Sequence, residues 1–393
     1  MKVALICNAY IRNYGSILQS LACYLVLKEM VDEVEVVNYV DVPTGHAKRK
    51  IFRYILLPQL INPVKLWKKF CKIYHGKVDK DFLKIRQDRS LAMEKFVEKS
   101  FCFTKKCNSI SDAAQVIQLY DKVMISSDQL WGPADILRGY HTLEHLPIDF
   151  PKVAYGTSFG VSMLPEFVKE SAAHFLNNIQ HVSVREQSGA QIVKNLTARE
   201  VPIVVDPTLL FDGIKWSEIL GNRKPYEGAY IFAFFLGGTK SHRDFVKKVQ
   251  KEMGLPIVSM QFLDEYLGSD VNFADVNMNN ASPADFVNLI RFADIVITDS
   301  FHASVFSIQY HKKFFTFDRY PSKSKNSRNS RIESLFGKLG LQDRHLNGTE
   351  KVGNLLVKTI DYERIDEVLN SWRLDSRSYL KSALNIKNDR VSE

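Results

Sequence analysis

Short apolar runs of strand length alternate with stretches of helical spacing along most of this chain, and that pattern calls for parallel sheets. Parallel neighbours cannot be joined by a tight turn; each pair needs a crossover, usually a helix. Residues 2–6 read as a first buried strand, closed by Cys7 and Asn8. Residues 16–30 carry apolar side chains at helical spacing (Ile17, Leu21, Tyr24, Leu25), and residues 33–39 alternate as a second strand. Further strands are expected at 122–126, 152–158 and 182–184. A second start comes at 229–236, an apolar strand running into Gly237-Gly238-Thr239. After it the pattern predicts a helix over 241–253, a strand over 256–261, a helix over 283–292, a strand over 294–298, a helix from Ser300 and a strand over 314–317.

The expected fold class is therefore α/β, two Rossmann-like domains facing across a cleft, with a basic helical insertion in the first. With 393 residues the chain exceeds one comfortable core. The first domain is expected over 1–211, with the insertion at about 45–95. The polar stretch 212–228, with Gly213, Gly221, Pro225 and Gly228, reads as a linker. The second domain is expected over 229–345, with a polar loop at 321–331, and a helical tail over 346–393.

Charge is unevenly placed. Residues 47–90 hold 13 Lys and Arg against three Asp, a local +10 in a chain of net +9, so the remainder sums to −1. Phe52, Tyr54, Trp67, Phe70 and Tyr74 interleave with those charges. Such a segment suits either a helical insertion packed on its own domain or peripheral association with an anionic membrane; nucleic acid is not expected as a partner. No stretch approaches the ~20 apolar residues that span a bilayer, and the first apolar run is too short for a signal peptide. Five cysteines (Cys7, Cys23, Cys71, Cys102, Cys107) form no C-x-x-C pair and read as free thiols. The expectation is a cytoplasmic protein, in place at the inner face of the membrane if the basic segment docks there.

In two Rossmann-like domains the ligand-facing residues are those just after the strands. Asp299-Ser300-Phe301-His302 follows an apolar strand and opens a helix, where unpaired backbone N–H groups can hold an anion and His302 can act as a general acid. Arg185 ends the strand Val182-Ser183-Val184 with a fork that suits a carboxylate or phosphate; pairing with the adjacent Glu186 is the structural alternative. Ser127-Asp128-Gln129 precedes Leu130-Trp131, an acidic and amide pair for hydroxyl groups beside an indole for the face of a sugar ring. Asn13-Tyr14-Gly15-Ser16 occupies the first strand-to-helix loop, and Ser158 follows another strand. The loop is not G-x-G-x-x-G, so a nicotinamide or flavin dinucleotide is not expected.

His141-Thr142-Leu143-Glu144-His145 spells the H-x-x-E-H pattern of inverted zinc peptidases, which needs a long helix. Gly139 and Pro147 leave about two turns at most, so no metal is expected there, and the histidines fall to the acceptor side of the cleft or to the surface.

Seven short stretches, in this order, resemble the polysaccharide pyruvyl transferase family. They are Asn13-Tyr14-Gly15-Ser16-Ile17-Leu18-Gln19, Ser127-Asp128-Gln129-Leu130-Trp131, Tyr155-Gly156-Thr157-Ser158-Phe159-Gly160, Ser183-Val184-Arg185-Glu186, Val205-Asp206-Pro207-Thr208-Leu209-Leu210, the run from Ala293 to His302 with Phe306-Ser307-Ile308, and Arg331-Ile332 with Leu339-Gly340-Leu341. Ala303 stands where many relatives carry Gly. The resemblance implies a GT-B-like fold, no metal or cofactor, phosphoenolpyruvate as donor and a saccharide, lipid-linked or nucleotide-linked, as acceptor. It implies that Arg185 and His302 contact the donor, together with Asp299, Ser300 and Phe301. The acceptor side falls to Asn13, Tyr14, Gly15, Ser16, Gln129, Trp131 and Ser158, with Asp128 as the hydroxyl-orienting group or base. Two other readings compete: a nucleotide-sugar glycosyltransferase of the same architecture, with Asp264 or Glu265 on the ribose, and a non-catalytic scaffold that docks a polysaccharide assembly complex on the membrane.

Overall fold

Val3 to Ile6 are buried on both faces, as a strand covered by helices on either side must be. The computed structural model describes residues 1–40, 45–56, 80–319, 330–348 and 350–386. In it β1 (Lys2–Ile6) pairs in parallel with β2 (Glu33–Val36) on one side and β3 (Lys122–Ser126) on the other. Then come β4 (Lys152–Tyr155) and β5 (His181–Val182), giving the order β2-β1-β3-β4-β5. Helix α1 (Tyr14–Met30) makes the first crossover.

The second sheet starts afresh at β6 (Ile231–Phe234), with β7 (Ile257–Ser259), β8 (Val276–Asn277), β9 (Ile295–Thr298), β10 (Lys313–Phe317) and β11 (His345–Leu346). Its order is β11-β10-β9-β6-β7-β8, again parallel throughout. Each sheet is doubly wound: the chain leaves β1 to one side and returns at β3, and leaves β6 to one side and returns at β9. These reversals leave a crevice outside the carboxyl ends of the strands, where such folds bind ligands. The pattern read from sequence, two Rossmann-like domains of α/β class, is the fold.

Two compact units result, one of Met1–Gln59, Val97–Leu210 and Leu369–Glu393, the other of Leu60–Phe96 and Phe211–Val368. The division differs from the expected boundaries in three places, each for a packing reason. The stretch 212–228, read as a linker, contains the helix Gly213–Leu220, capped by Asp212 and holding a fully buried Trp216 against Phe306. Gly213 is needed there, since a Cβ would run into the Gln309 carbonyl oxygen. The tail helix Tyr362–Leu384 returns to the first unit: Trp372 donates to the Ile203 carbonyl, and Tyr379 to that of Ala154. The insertion contributes the helix Lys80–Ser100, whose Phe82 and Arg89 are buried in the second unit, Phe82 at 5.6 Å from the Tyr266 ring. Arg89 donates through Nε to the Asn279 carbonyl (2.8 Å) and through Nη1 to that of Gln261. Tyr54 stacks on Phe167 at 4.5 Å in the first unit. Trp67, Phe70, Tyr74 and residues 321–329 lie outside the described residues.

Candidate functional site

In the first unit the crevice lies between the ends of β1 and β3. After β3 the chain turns through Ser127 (φ 42) and Asp128 (φ 65), two consecutive non-glycine residues in the left-handed region. Each costs about 1–3 kcal/mol, and such strain gathers at functional sites. The turn brings Asp128 to the β1 side, where its Oδ2 accepts from Ser16 Oγ (2.6 Å) and Asn8 Nδ2 (3.1 Å). Its Oδ1 accepts from the Gln129 backbone N–H (2.8 Å). Ser16 is held in turn by Asn13, the N-cap of α1, whose side chain accepts from the Ser16 N–H. Tyr14 and Gly15 form the buried first turn of that helix.

Beneath Asp128 sits an arginine among carboxylates. Arg185, its side chain 2% exposed, donates through Nη1 to Asp206 Oδ2 (2.8 Å) and through Nε to Glu186 Oε2 (3.3 Å); its Nη2 lies 4.0 Å from Asp128 Oδ1. Gln19 donates to both Ser127 and Asp206, Thr208 donates to Asp206, and Ser158 donates to Glu186. Burial works against the charge of Asp128, but Arg185 and the bonds from Ser16 and Asn8 prevail and hold its carboxyl well below the ordinary range.

In the second unit the crevice lies between the ends of β6 and β9, and Asp299 spans it. Its two oxygens accept from the backbone N–H groups of Leu236 (2.6 Å) and Gly237 (2.9 Å). Burial pushes this carboxyl up to about 6, while those N–H groups, Arg319 and Arg243 pull it down. Ser300 caps the helix Phe301–Gln309 by accepting from Ala303 N, so His302 stands in the first turn, 7% exposed, with the Phe301 ring edge-on to it. The half-buried Arg331 places its guanidinium 5.2 Å from the centre of the Phe301 ring.

The structure thus gathers Asn13, Ser16, Asp128, Gln129, Ser158 and Arg185 around the first crevice and Asp299, Ser300, Phe301 and His302 around the second. Two expectations are revised. Arg185, expected on the donor, is held by Asp206 and Glu186 with Asp128 nearby, so the structural alternative of an ion pair with Glu186 is what the geometry shows. Trp131 is fully buried between Phe159 and Phe175, its indole N–H donating to the His141 carbonyl (3.1 Å), so it offers no face to a sugar. Residues 141–145 form turns, not the helix that a zinc motif needs. Asn8 and Gln19, at the two ends of the first strand-to-helix stretch, and Asp206, in the stretch Val205–Leu210, are expected near the site by position but have no role legible in the sequence.

No curated protein gives a significant match. The model of the polysaccharide pyruvyl transferase family matches residues 13–320. The chain belongs to that family. Among solved structures, S. aureus MnaA with UDP is similar over 100% of this chain and 99% of its own, at 11% identity and a TM-score of 0.50. A Methanocaldococcus jannaschii UDP-GlcNAc 2-epimerase covers 98% of this chain and 100% of its own at 9% identity and TM-score 0.48. The glycosyltransferase SnogD from Streptomyces nogalater covers 98% and 99% at 11% identity and TM-score 0.42. The likeness at 0.50 is one of fold alone, and it agrees with two Rossmann-like domains in this pyruvyl transferase family member. The family match takes in both crevices, from Asn13 to His302. Among the described residues no helix is long and apolar enough to cross a membrane.

Proposed function

We propose that this family member transfers the pyruvyl group of phosphoenolpyruvate to a pair of hydroxyls on a sugar of a surface polysaccharide or its precursor, closing a cyclic ketal and releasing phosphate. The observation that carries the reading is the turn Asp299–His302, which combines a helix start, a buried imidazole in the first turn and Arg331 over Phe301. A small, multiply charged anion suits N–H groups at a helix start and a guanidinium beside them.

In this reading His302 protonates the methylene carbon of the donor, and C2, now electron-poor, is attacked by a sugar hydroxyl. The proton that this hydroxyl loses to water restores, in net, the one given by His302. A second hydroxyl then adds as phosphate leaves, and its proton departs with the phosphate. Asp128 orients hydroxyls as a charged acceptor. Arg185, engaged by three carboxylates, holds Asp128 in place and keeps the cluster charged. The reaction as written needs no metal or electron carrier.

The test is to incubate the full chain with phosphoenolpyruvate and a panel of saccharides, following phosphate release and the ketal methyl signal by NMR. Phosphate released together with a ketal supports the reading. Activity only with UDP- or GDP-sugars would replace it by glycosyl transfer.

A further inference from the structure

The loop after β1 puts an aromatic ring in the open at the first crevice. Tyr10 is 42% exposed and its neighbour Ile11 48%, although Ala9, just before them, is fully buried. A single exposed apolar side chain needs no explanation. Two in succession, on a loop at the carboxyl end of a parallel sheet, stand where such folds bind ligands.

The loop is pinned at both ends. Asn8 donates through Nδ2 to Asp128 Oδ2 (3.1 Å), and the Ile11 N–H donates back to the Asn8 carbonyl (3.4 Å). At the far end Asn13 donates its N–H to the Ile11 carbonyl (2.7 Å) and caps α1. Between these anchors the Tyr10 ring stacks on Phe103, with centroids 4.8 Å apart and planes 27° from parallel. Phe103 is fixed in turn, bridged to Val36 at the end of β2 and tilted against Phe101 at 5.8 Å. A stacked ring gives one face to its partner, so the exposure of Tyr10 belongs to its other face and its edge. Phe103 stands beside the end of β2 and Asp128 after β3, strands that flank β1, so ~10 Å separate them, room for one sugar ring. Asp128 can receive a ligand as well. A carboxylate offers about four acceptor positions. Among the described residues Ser16, Asn8 and the Gln129 N–H take three of them, Arg185 at 4.0 Å is beyond hydrogen-bond reach, and the side chain is 18% exposed.

We infer that Tyr10, backed by Phe103, is the platform for a hexopyranose, which lies with its apolar C–H face on the open face of the phenol ring and turns an edge hydroxyl to Asp128. The face of an aromatic ring is electron-rich and attracts the slightly positive C–H groups of a sugar. A pyranose has both the apolar face and the polar edge that this pair of residues asks for. A small anion has no such face, and Asp128 repels it. The part that the buried Trp131 cannot play thus falls to Tyr10. Sugar binding stands on residues of the first unit alone; that the bound sugar is the acceptor rests on the proposed pyruvyl transfer.

The experiment uses the full chain and the methyl α- and β-glycosides of galactose, glucose and mannose as probes. Saturation-transfer NMR with irradiation of the aromatic protons should mark the C–H protons on one face of the sugar ring. Tyr10→Ala should erase that pattern and raise both the glycoside Kd and the acceptor KM roughly tenfold, the scale of one lost aromatic stack, with the KM for phosphoenolpyruvate and the melting curve unchanged. Tyr10→Phe and Tyr10→Trp, which keep an aromatic face, should bind as the wild type does. Tyr10→Leu, which keeps apolar bulk on Phe103 without that face and is the fallback should the Ala variant loosen the loop, should behave as Tyr10→Ala. Wild-type Kd in Tyr10→Ala or Tyr10→Leu, an equal loss in Tyr10→Trp, or no binding of any glycoside would each overturn the inference. Ketal formation with an unchanged acceptor KM in Tyr10→Ala would overturn it and leave pyruvyl transfer standing. Glycoside binding that depends on Tyr10, with no phosphate release, would leave the platform standing and sink pyruvyl transfer instead.

Discussion

Arg185→Met removes the cation that pairs with Asp206 and Glu186 and faces Asp128, and its cost follows from the burial of the partners. Asp206 and Glu186 are 2% and 3% exposed at their side chains, and Asp128 is 18% exposed. Water cannot replace the guanidinium at the first two, so their charges are left uncompensated. Breaking a buried pair in this way costs about 3–5 kcal/mol. At about 2–4 °C per kcal/mol for a unit of this size, the first unit should melt roughly 6–20 °C lower at pH 7. The pH dependence has a definite sign. In the wild type the carboxyl of Asp128 sits below its unfolded value, so its stabilisation is present above that value, about 4, and is lost only as pH falls further. Without Arg185 burial prevails at Asp128, whose carboxyl takes up a proton at higher pH, which relieves the repulsion. The deficit should therefore be widest at neutral pH and narrow as pH approaches 4. Thermal unfolding of both proteins by circular dichroism across pH 4–8 measures this. Equal melting at pH 7, or a deficit that does not change with pH, would refute the reasoning.

Other outcomes test the remaining parts. His302→Ala should lower turnover by roughly 10²–10⁴-fold with the melting curve unchanged, checked by phosphate release with a working acceptor; wild-type turnover would remove His302 from the chemistry. Asp299, with a folded value of about 6 against 3.8 when free, destabilises the second unit as pH rises from about 4 to 6, so the wild type should gain stability as pH falls from 7 towards 5 and Asp299→Asn should lose that slope. Arg89→Ala should weaken the hold of the helix Lys80–Ser100 on the segment 261–279 and speed amide exchange there, measured by hydrogen–deuterium exchange. Vesicles rich in phosphatidylglycerol should sediment the chain at low salt and release it at high salt, because charge attraction is screened over ~10 Å at 0.1 M; sedimentation that ignores anionic lipid would leave the 47–90 segment as ordinary structure.

Much of the frame was legible. Residues 2–6 and 122–126 form strands over the expected spans, because runs buried on both faces carry a continuous apolar signal. Val276–Asn277 and His345–Leu346 escaped because two residues carry no period. Gly213 and Gly221 read as breakers yet bracket a helix, one for close approach to Gln309, the other as its C-cap. The site was legible by strand-end position but not by orientation. Trp131 beside a polar loop looked ligand-facing, and only packing against Phe159 and Phe175 turns it inward. The left-handed turn at Ser127 and Asp128 had no glycine to announce it. That Arg185 meets Asp206 as well as Glu186 depends on a contact across 21 residues that local pattern does not carry.

The two crevices differ in charge, and the difference argues for which substrate each receives. Among the described residues Asp128, Glu186 and Asp206 surround Arg185 in the first. A second anion placed 4 Å from a carboxylate meets roughly 4 kcal/mol of repulsion at the effective dielectric near a protein surface. A phosphorylated, carboxylated donor would meet that more than once there, whereas the hydroxyls of a sugar find charged and neutral acceptors. In the second crevice burial raises Asp299 to about 6, so it begins to take up a proton as pH falls towards 6, and Arg243 and Arg319 oppose that uptake. Arg331 lies over Phe301, next to the helix start. An anion bound there would raise the Asp299 value further, so donor binding and proton uptake should be linked: phosphoenolpyruvate affinity should strengthen as pH falls from 7 to 6, and the slope should vanish in Asp299→Asn. Calorimetric titration at the two pH values decides it, and an affinity indifferent to pH in the wild type would break the assignment of the donor to the second unit.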